Sequence, residues 1–396
     1  MAVILGMACV AYWTLRLSWA DHLSRALDAE TVARAVRLSP GDADFRLKLA
    51  AARQAASADP ATALEAAATL DPGNADTWMR LGVDAEMRGD LRAAESSLLR
   101  AADASHQFAP RWALANYYFR RGDEAHFWRW ARESLRIGYG DLNPVFQLCW
   151  HMRQDARLIL GRAIPERPTV LDAYVQFLTQ QGRLGVSEPA AVKLAGLATS
   201  EDRATLLVWC DREIEAGAVS AALEVWNALC ARHLVPYPPL DPDRAPLTDG
   251  GFAAESVGEG FAWRLAPAVG IVIGRNPAPR YLWVDFSGDQ PETWAPLWQF
   301  VPVAPGARYR LHFEYRTSEL PTASGLRWSV LDGRTGADLA ATSPWLSSSD
   351  WKPVELAFTT PASGLLRLTL TCLRLPGATR IAGSLALRHL SLERQP

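Results

Sequence analysis

The pattern of apolar and polar positions changes once along the chain, near residue 240. From about 22 to 235, apolar residues recur at spacings of three and four, which is typical of amphipathic helices. From about 246 to 394, short runs alternate between apolar and polar residues, and Gly, Pro, Ser and Thr separate them. The sequence therefore predicts a multidomain α plus β protein, with a helical α-solenoid in 22–235 and an antiparallel β-sandwich in 247–396.

A proline-rich segment, 236–246, separates the two halves. Its five prolines cannot continue a helix, and they favour an extended, semi-rigid linker. We place the domain boundary in this segment.

The helical half contains an internal repeat. The stretch Leu38–Asp44 recurs as Leu70–Asp76, displaced by 32 residues. In each copy Pro and Gly end one helix, and Asp42 or Asn74 is placed to cap the next. A period in this range predicts stacked pairs of helices.

The second copy of the repeat opens a segment that resembles the tetratricopeptide repeat (TPR) family. The residues that carry this resemblance are Trp78, Leu81, Gly82, Gly89, Ala94, Leu98 and Ala101. Small residues at 82, 94 and 101 permit close approach of the paired helices, and large ones at 78, 81 and 98 fill the space between them. A further unit starts near Ala109. The resemblance covers about 40–120 and fades towards 235.

A TPR-like stack has a concave surface lined by the first helix of each pair, and such units bury their apolar faces against their neighbours. By the family resemblance, the residues of a groove for a protein partner are Met79, Val83, Glu86, Ala113, Tyr117 and Arg120. The alternative is an ordinary solvated or inter-repeat surface that binds nothing.

The clearest strand lies at 308–316. Aromatic and leucine side chains occupy the odd positions from 309 to 315, and polar side chains occupy the even positions, so one face is predicted to be core and the other solvated. Further strands are expected at 261–266, 269–274, 280–286, 297–303, 325–332, 353–359, 366–372 and 381–392. Eight to ten short strands over about 150 residues are typical of a sandwich or jelly roll.

Several stretches of the β half resemble bacterial jelly-roll carbohydrate-binding modules, the kind appended to polysaccharide-degrading enzymes. They are Leu247–Phe252, Phe261–Trp263, Val303–Leu311, Trp351 with the strand that follows it, and the closing strand Leu385–Leu392. Such modules often open with Asn-Gly-Gly-Phe-Glu, whereas this chain has Asp249 and Ala253 in place of the Asn and the Glu. The resemblance implies a sandwich fold and a glycan ligand.

Seven of the chain's 16 tryptophans lie in the β half. Sugars present apolar C–H faces, so an exposed aromatic ring beside polar groups makes a suitable platform. Trp294 and Trp345 lie in loop-like, Pro-, Ser- and Thr-rich surroundings and are the candidate platforms. Trp263, Trp283 and Trp328 alternate with polar neighbours and are interpreted as core.

The polar face of the 308–316 strand is the second candidate for contact with glycan. It carries Arg308, Arg310, His312, Glu314 and Arg316, which suit sugar hydroxyls or an acidic polysaccharide, since arginine pairs well with carboxylates. The alternative is the solvated outer face that every sandwich needs.

Residues 1–15 carry no charged side chain. The run is short for a membrane span, which needs roughly 20 apolar residues. It resembles a signal anchor or a signal peptide, with Ser18–Ala20 as a loose cleavage site. We expect a single N-terminal membrane anchor with the bulk of the chain outside the cytoplasm. A cleaved signal and a buried first solenoid helix are the alternatives, and the four arginines between 16 and 37 by themselves favour a cytoplasmic C-terminal portion.

Composition narrows the class of protein. Hydrophobic residues make up 49% and charged residues 21%, which suits a globular protein, and a net charge of −2 gives no electrostatic sign of nucleic-acid binding. The abundance of Arg and Ala over Lys is associated with GC-rich bacterial genomes. Five cysteines without CxxC spacing argue against a disulfide framework or a zinc site, and Cys149, Cys210 and Cys230 are predicted to be buried.

No catalytic, cofactor or metal signature is found. The sequence has no GxSxG, HExxH, GxxxxGK[ST] or GxGxxG motif, and no two histidines are four residues apart. We therefore expect a non-enzymatic binding or scaffold protein of the bacterial cell envelope, serving exopolysaccharide or cell-surface assembly, with no cofactor. The alternatives are a pure protein–protein adaptor whose β-domain binds no sugar and a glycoside hydrolase with an unrecognised site.

Overall fold

The computed structural model describes residues 2–291, 293–322, 324–373 and 380–396. Within these residues fourteen α-helices precede ten β-strands, which form two antiparallel five-stranded sheets. The predicted α plus β architecture is confirmed. The chain divides into two compact units, 1–165 and 166–396.

The first unit consists of paired helices. They are α1 (Ala2–Ser24), α2 (Ala29–Leu38), α3 (Ala43–Ala55), α4 (Ala61–Leu70), α5 (Ala75–Met87), α6 (Leu91–Ala104), α7 (Phe108–Arg121), α8 (Glu124–Ile137), α9 (Asn143–Met152) and α10 (Ala156–Arg162). Helices α3, α5 and α7 begin 32 and then 33 residues apart. This spacing agrees with the predicted helical repeat.

The repeated turn caps its helices as the sequence predicts. The Asp42 carboxylate accepts hydrogen bonds from the backbone N–H groups of Asp44 and Phe45, at 2.9 and 3.2 Å. The Asn74 side chain accepts one from the Thr77 N–H at 3.2 Å. Each cap satisfies donors that the first helical turn leaves without partners.

Helices α5 and α6 pack closely together at Gly82. A Cβ atom at this position would lie 2.7 Å from Cγ of Leu98 and 3.2 Å from the carbonyl oxygen of Ala94. Leu98, Ala94 and Ala101 are almost completely buried beside it. The predicted role of the small residues in this pair is confirmed, because only a glycine leaves room for the facing leucine.

The second unit, 166–396, contains four helices and all ten strands. The helices are α11 (Pro168–Gln180), α12 (Glu188–Leu197), α13 (Arg203–Ala216) and α14 (Val219–Ala231), with a 3-10 turn at Leu184–Val186. The strands are β1 (Arg264–Leu265), β2 (Ile271–Pro277), β3 (Arg280–Ser287), β4 (Thr293–Pro302), β5 (Arg308–Ser318), β6 (Leu326–Asp332), β7 (Asp338–Ala341), β8 (Lys352–Thr359), β9 (Leu365–Leu373) and β10 (Ala382–Arg394).

The strands form sheets in the orders β1-β4-β9-β6-β7 and β2-β3-β10-β5-β8. From β3 onward, consecutive strands lie in different sheets, except for β6 and β7, which lie in the same one. The strands of each sheet are therefore separated along the chain by strands of the other sheet. All nine predicted strands are found, with ends shifted by a few residues. Strand β7 was not predicted, because its four residues, Asp-Leu-Ala-Ala, show no alternation and stay partly exposed.

Alternation along β5 places the core as predicted. Tyr309, Leu311, Phe313 and Tyr315 are at most 1% exposed and point between the two sheets. The polar residues between them point outward, with exposed or half-buried side chains. Strand β5 therefore divides the buried interior from the solvated outer face.

An ion pair joins helix α13 to the first strand of the sandwich. The Asp211 carboxylate faces the Arg264 guanidinium, and their side chains are only 28% and 12% exposed. Asp211 also accepts a hydrogen bond from the Gly260 N–H at 2.6 Å. Burial raises the pKa of Asp211 and lowers the pKa of Arg264, so each charge offsets part of the other's desolvation.

The proline-rich segment is packed against both the last helix and the sandwich. The Asn227 side chain of α14 exchanges two hydrogen bonds with the Leu240 backbone, at 2.7 and 2.9 Å. The Tyr237 ring stacks on Trp226 with centroids 5.8 Å apart. From the sandwich, the Tyr309 hydroxyl donates to the Pro242 carbonyl at 2.6 Å. The segment is thus held along its length.

Replacing Gly82 with Ala tests the close approach of α5 and α6. Alanine favours a helix by about 1 kcal/mol over glycine, but here its methyl group would overlap Leu98. We expect a net loss of about 1–3 kcal/mol of unfolding free energy from overpacking, measured by urea denaturation. Gly161→Ala is the control, since nothing lies within 4 Å of that Cβ position, and it should be neutral or stabilising. A stabilised Gly82→Ala variant would contradict the geometry.

Removing Arg264 tests the helix–sandwich ion pair. In Arg264→Ala the Asp211 carboxylate keeps its half-buried position without its cation, so we expect the unfolding free energy to fall by about 3 kcal/mol. The control is Arg212→Ala, the neighbour of Asp211, whose ion pair with Glu215 is exposed and should change stability by less than about 0.5 kcal/mol. Equal losses in the two variants would rule out a special role for the buried pair.

Candidate functional site

The outer face of the β2-β3-β10-β5-β8 sheet contains a row of aligned residues. Gly274 of β2 pairs with Trp283 of β3. Trp283 pairs with Ala386 of β10, which in turn pairs with Arg316 of β5. Four neighbouring strands therefore contribute one glycine, one aromatic ring, one methyl group and one guanidinium to the same line across the sheet.

The Trp283 indole extends over β2 because its partner, Gly274, has no side chain. A Cβ atom at Gly274 would overlap the six-membered part of the Trp283 indole. The indole thus covers the backbone of β2 and is half-buried. Glycine weakens a strand, and its occurrence here is explained by the ring that rests on it.

A second group of aromatic rings stands beside Trp283. The Tyr281 ring is 5.8 Å from the Trp351 ring, at an interplanar angle of 64°. The Arg316 guanidinium lies 5.0 Å from the Trp351 centroid and 5.8 Å from the Tyr281 centroid. Arg388 of β10 lies over Trp351 at 4.1 Å. Two arginines and two rings are therefore held together by cation–π contacts.

A shallow recess of about 220 Å³ lies along Trp283 and Tyr281. Its lining includes the polar side chains of Asp285, Arg316 and Ser384. The Ser384 hydroxyl donates to the Asp285 carboxylate at 2.5 Å, which fixes the exposed carboxylate in place. The recess thus combines a flat apolar wall with an oriented acceptor and a cation.

Ion pairs cross the strands next to the recess. Nε and Nη2 of Arg388 both lie against the same oxygen of Glu314, at 2.7 and 2.6 Å. Burial by itself would raise the pKa of Glu314, but the hydrogen bond and charge of Arg388 outweigh it and hold the pKa below its ordinary value. Further along, Arg310 and His312 face Glu355 of β8, at 3.4 and 3.8 Å.

The polar residues predicted on β5 share one face, as their alternation requires. Arg308 and Arg310 are exposed, and His312 and Glu314 are half-buried. Cross-strand ion pairs explain the presence of Arg310, His312 and Glu314 without a ligand. Their predicted contact with glycan stays a prediction.

Trp345 is not an exposed platform, which corrects the interpretation from its neighbours. It is 3% exposed in the core between the sheets. Its ring stacks on Tyr315 with centroids 5.1 Å apart, and its Nε1 donates to the Thr342 hydroxyl at 3.0 Å. The Pro- and Ser-rich surroundings do form a loop, but the large ring fills space between the sheets.

The other tryptophans divide between core and surface. Trp263 and Trp328 are buried, as predicted. Trp283 was interpreted as core, and this is wrong because it lies on the outer face. Trp294 of β4 is half-buried, with its ring 5.0 Å from Phe286. Trp294 therefore offers only part of its surface and stays a candidate.

The aromatic part of this face was not predicted as a site; it consists of Tyr281, Trp283 and Trp351. One signal was present: Gly274 stands in the middle of a predicted strand, where a glycine often marks close approach of another group. Pairing Gly274 with Trp283 requires the register of two strands, which alternation alone does not give.

The predicted partner groove falls partly on a recess of about 250 Å³ in the first unit. Met79, Val83 and Ala113 line it, together with apolar residues of α3 and α4. At its side Glu86 and Arg120 form a two-point ion pair, at 2.8 and 2.6 Å. These five positions stay predictions for partner binding.

Tyr117 is not available as an open groove contact, and its predicted role is corrected. The side chain is 3% exposed, and its hydroxyl donates to the Leu91 carbonyl at 2.9 Å. Its position on the first helix of a pair suggested exposure, but the adjacent helix α6 begins beside it and covers the ring. Tyr117 holds α6 and α7 together.

Helix α1 is long and apolar enough to cross a membrane by length and composition. Its large apolar side chains from Val3 to Trp19 are 46–74% exposed. A buried first solenoid helix, one of the alternatives, is therefore excluded for this stretch. Only the end of α1 packs, with Ala20 fully buried and Arg16 Nε donating to the Leu38 carbonyl at 2.8 Å.

Cys149, Cys210 and Cys230 are buried, as predicted. Burial raises the pKa of the Cys230 thiol to about 12, so it stays protonated at neutral pH. Among the residues that the structure describes, no three His, Cys, Asp or Glu side chains come close enough to hold a metal ion.

Comparisons with known proteins give structural matches to the C-terminal β half. A family 4 carbohydrate-binding module (CBM4) is 12% identical, with a TM-score of 0.29, and 37% of this chain covers 99% of it. TmCBM61, in complex with β-1,4-galactotriose, is 16% identical, with a TM-score of 0.28, and 39% of this chain covers all of it. A module of Cellvibrio mixtus lichenase 5A in complex with cellotriose is 9% identical, with a TM-score of 0.22, and 33% of this chain covers 92% of it. No protein-family model matches the sequence, and no curated protein is significantly similar to it.

Proposed function

We propose that this chain is a non-catalytic binding protein of the bacterial cell envelope whose sandwich binds glycan on the outer face of the β2-β3-β10-β5-β8 sheet. The observation that carries the proposal is the Trp283 ring, which covers Gly274 along a recess with fixed polar groups. A flat, half-exposed ring beside oriented donors and acceptors suits the alternating C–H faces and hydroxyls of a sugar.

The proposed surface extends along β5. A polysaccharide is long, and one residue of strand spans about 3.3 Å, so the eight steps from Arg308 to Arg316 cover about 26 Å. Arg308, Arg310, His312 and Glu314 would contact successive sugars beyond the recess. Trp294, on the other sheet, is the alternative platform.

The absence of a catalytic role is part of the proposal. A glycosidase needs two carboxylates on either side of the scissile bond. Among its described lining residues the recess has one carboxylate, Asp285, and the nearby Glu314 is engaged by Arg388.

The first unit is proposed to bind a protein partner as a TPR-like repeat. The apolar recess at Met79, Val83 and Ala113 supports this, since its walls are mostly apolar and open to solvent. The Glu86–Arg120 pair would set the polar edge of the contact. We propose a scaffold role in exopolysaccharide or cell-surface assembly, with α1 as the membrane anchor and the bulk of the chain outside the cytoplasm.

A pure protein–protein adaptor is the competing function. In that case the aromatic face would bind no sugar. The two functions therefore differ in one measurable property, the affinity of the aromatic face for polysaccharide.

Trp283→Ala is the direct test of the glycan face. We expect the full chain in detergent micelles to bind at least one bacterial polysaccharide by isothermal titration calorimetry. Removing the central ring should weaken that binding by about 30-fold or more, because a central aromatic contact commonly contributes about 2 kcal/mol. Gly274→Ala should also weaken it, since its methyl group displaces the ring without removing it.

Trp294→Ala is the matched control. It removes the same side chain from the other sheet and should leave affinity nearly unchanged, with urea denaturation confirming that each variant is folded. If Trp294→Ala abolishes binding while Trp283→Ala does not, the face is misassigned. If no polysaccharide binds the unaltered chain, the adaptor function replaces the glycan-binding one.

The proposed anchor is tested by two arginines in α1. We expect the full chain to stay with membranes after an alkaline carbonate wash. Leu5→Arg with Val10→Arg should release it, since each arginine near the bilayer centre costs about 2.5–3.5 kcal/mol. Leu27→Arg, outside the helix at a 93% exposed side chain, should not. Release of the unaltered chain by the wash would contradict the proposal that α1 is a membrane anchor.

A further inference from the structure

The charge on the candidate face is distributed unevenly between its arginines. Arg388 is neutralised by Glu314, and Arg310 faces Glu355. Arg316, at the recess, has no carboxylate partner among the residues that the structure describes. It is the one arginine among the described residues that line the recess, and the carboxylate of that lining, Asp285, hydrogen-bonds to Ser384 and forms no ion pair with Arg316.

The Arg316 guanidinium is held in place by its neighbours. Trp351 lies 5.0 Å away and Tyr281 lies 5.8 Å away, both measured to the ring centroid. Contact with two rings restricts the rotamers of a long side chain, so less entropy is lost when it binds a ligand. The rings orient the cation without supplying an anion.

From this arrangement we infer that the glycan is acidic and that Arg316 binds the carboxylate of a uronic acid while the sugar ring rests on Trp283. The inference rests on the proposed glycan-binding function and adds the chemical class of the ligand. A planar guanidinium matches a carboxylate through two parallel hydrogen bonds. Arg316 and Trp283 are two strands apart in one row, so a single sugar and its substituent can contact both.

The alignment of polar groups also gives an acidic sugar one more charged contact than a neutral sugar. Asp285 is held by Ser384 on the opposite side of the recess and accepts hydrogen bonds from sugar hydroxyls. A neutral sugar would satisfy Asp285 and Trp283 but would leave Arg316 facing no anion. The acidic sugar satisfies all three.

The test compares acidic polymers with their own neutral forms. The full chain in detergent micelles is titrated with polygalacturonate and with alginate, and with each polymer after reduction of its carboxyl groups. We expect at least one acidic polymer to bind tenfold or more tightly than its reduced form. Its affinity should fall as salt is raised from 50 to about 300 mM, since the contact is electrostatic.

Variants assign the preference to one residue. Arg316→Ala should weaken the acidic polymer by about 10- to 100-fold, the range expected for one charged hydrogen-bonding partner, and should change the reduced polymer little. Arg316→Lys should recover only part of the loss, because it keeps the charge but not the planar fork. Arg244→Ala is the control: it removes the same charge at an exposed position in the proline-rich segment and should have no effect.

The outcomes separate the inference from the function on which it rests. If the reduced polymers bind as well as the acidic ones and Trp283→Ala abolishes both, the face binds glycan but the acidic class is wrong. If dextran sulfate binds as tightly as the uronate polymers and its binding also depends on Arg316, the site recognises negative charge in general. The assignment of a carboxylate ligand is then wrong. If no polymer binds in either form, the glycan-binding function fails together with the inference.

Discussion

The second unit depends on one charged contact, the pair of Asp211 on helix α13 and Arg264 at the start of the sandwich. The carboxylate also accepts from the backbone of the loop before β1, so it fixes the point where the chain enters the sheets. Arg264 in turn lies 4.5 Å from the Trp298 centroid. This contact connects the ion pair to the outer face of the β1-β4-β9-β6-β7 sheet. The last helices and the sandwich are therefore one compact unit, and the proline-rich segment between them is a packed connection.

The helices and strands could be predicted from the sequence because the interactions that specify them are local. Asp42 and Asn74 cap helices through contacts two or three residues away, and the period of 32 residues places both. The strand at 308–316 is specified by strict alternation, which assigns each side chain to a face whatever its partners are. Close packing of helices was likewise visible, since Gly82 and Leu98 stand at spacings that a helix pair brings together.

The candidate site could not be predicted to the same extent, because it depends on pairing between distant strands. Trp283 and Trp345 occupy the reverse of their predicted positions: Trp283 lies on the outer face and Trp345 lies in the core. Trp345 is drawn inward because Tyr315 and Phe313 leave room for a third ring in the core, and Trp283 turns outward onto a glycine of the adjacent strand. Neither fact is encoded by the immediate neighbours. The burial of Tyr117 in the helical unit could not be predicted for the same reason. Its position on the helix predicts an exposed side chain, but the start of the adjacent helix covers it.

The way α1 ends has a mechanical consequence. Seventeen residues from Val3 to Trp19 rise about 25 Å, slightly less than the roughly 30 Å of a bilayer's hydrocarbon core, and Ala20 is already part of the packed helical unit. No flexible segment lies between the exposed part of α1 and the packed helical unit. A lipid-embedded α1 would therefore act as a stiff stalk, holding the first helices against the headgroups and transmitting any tilt of the helix directly to them.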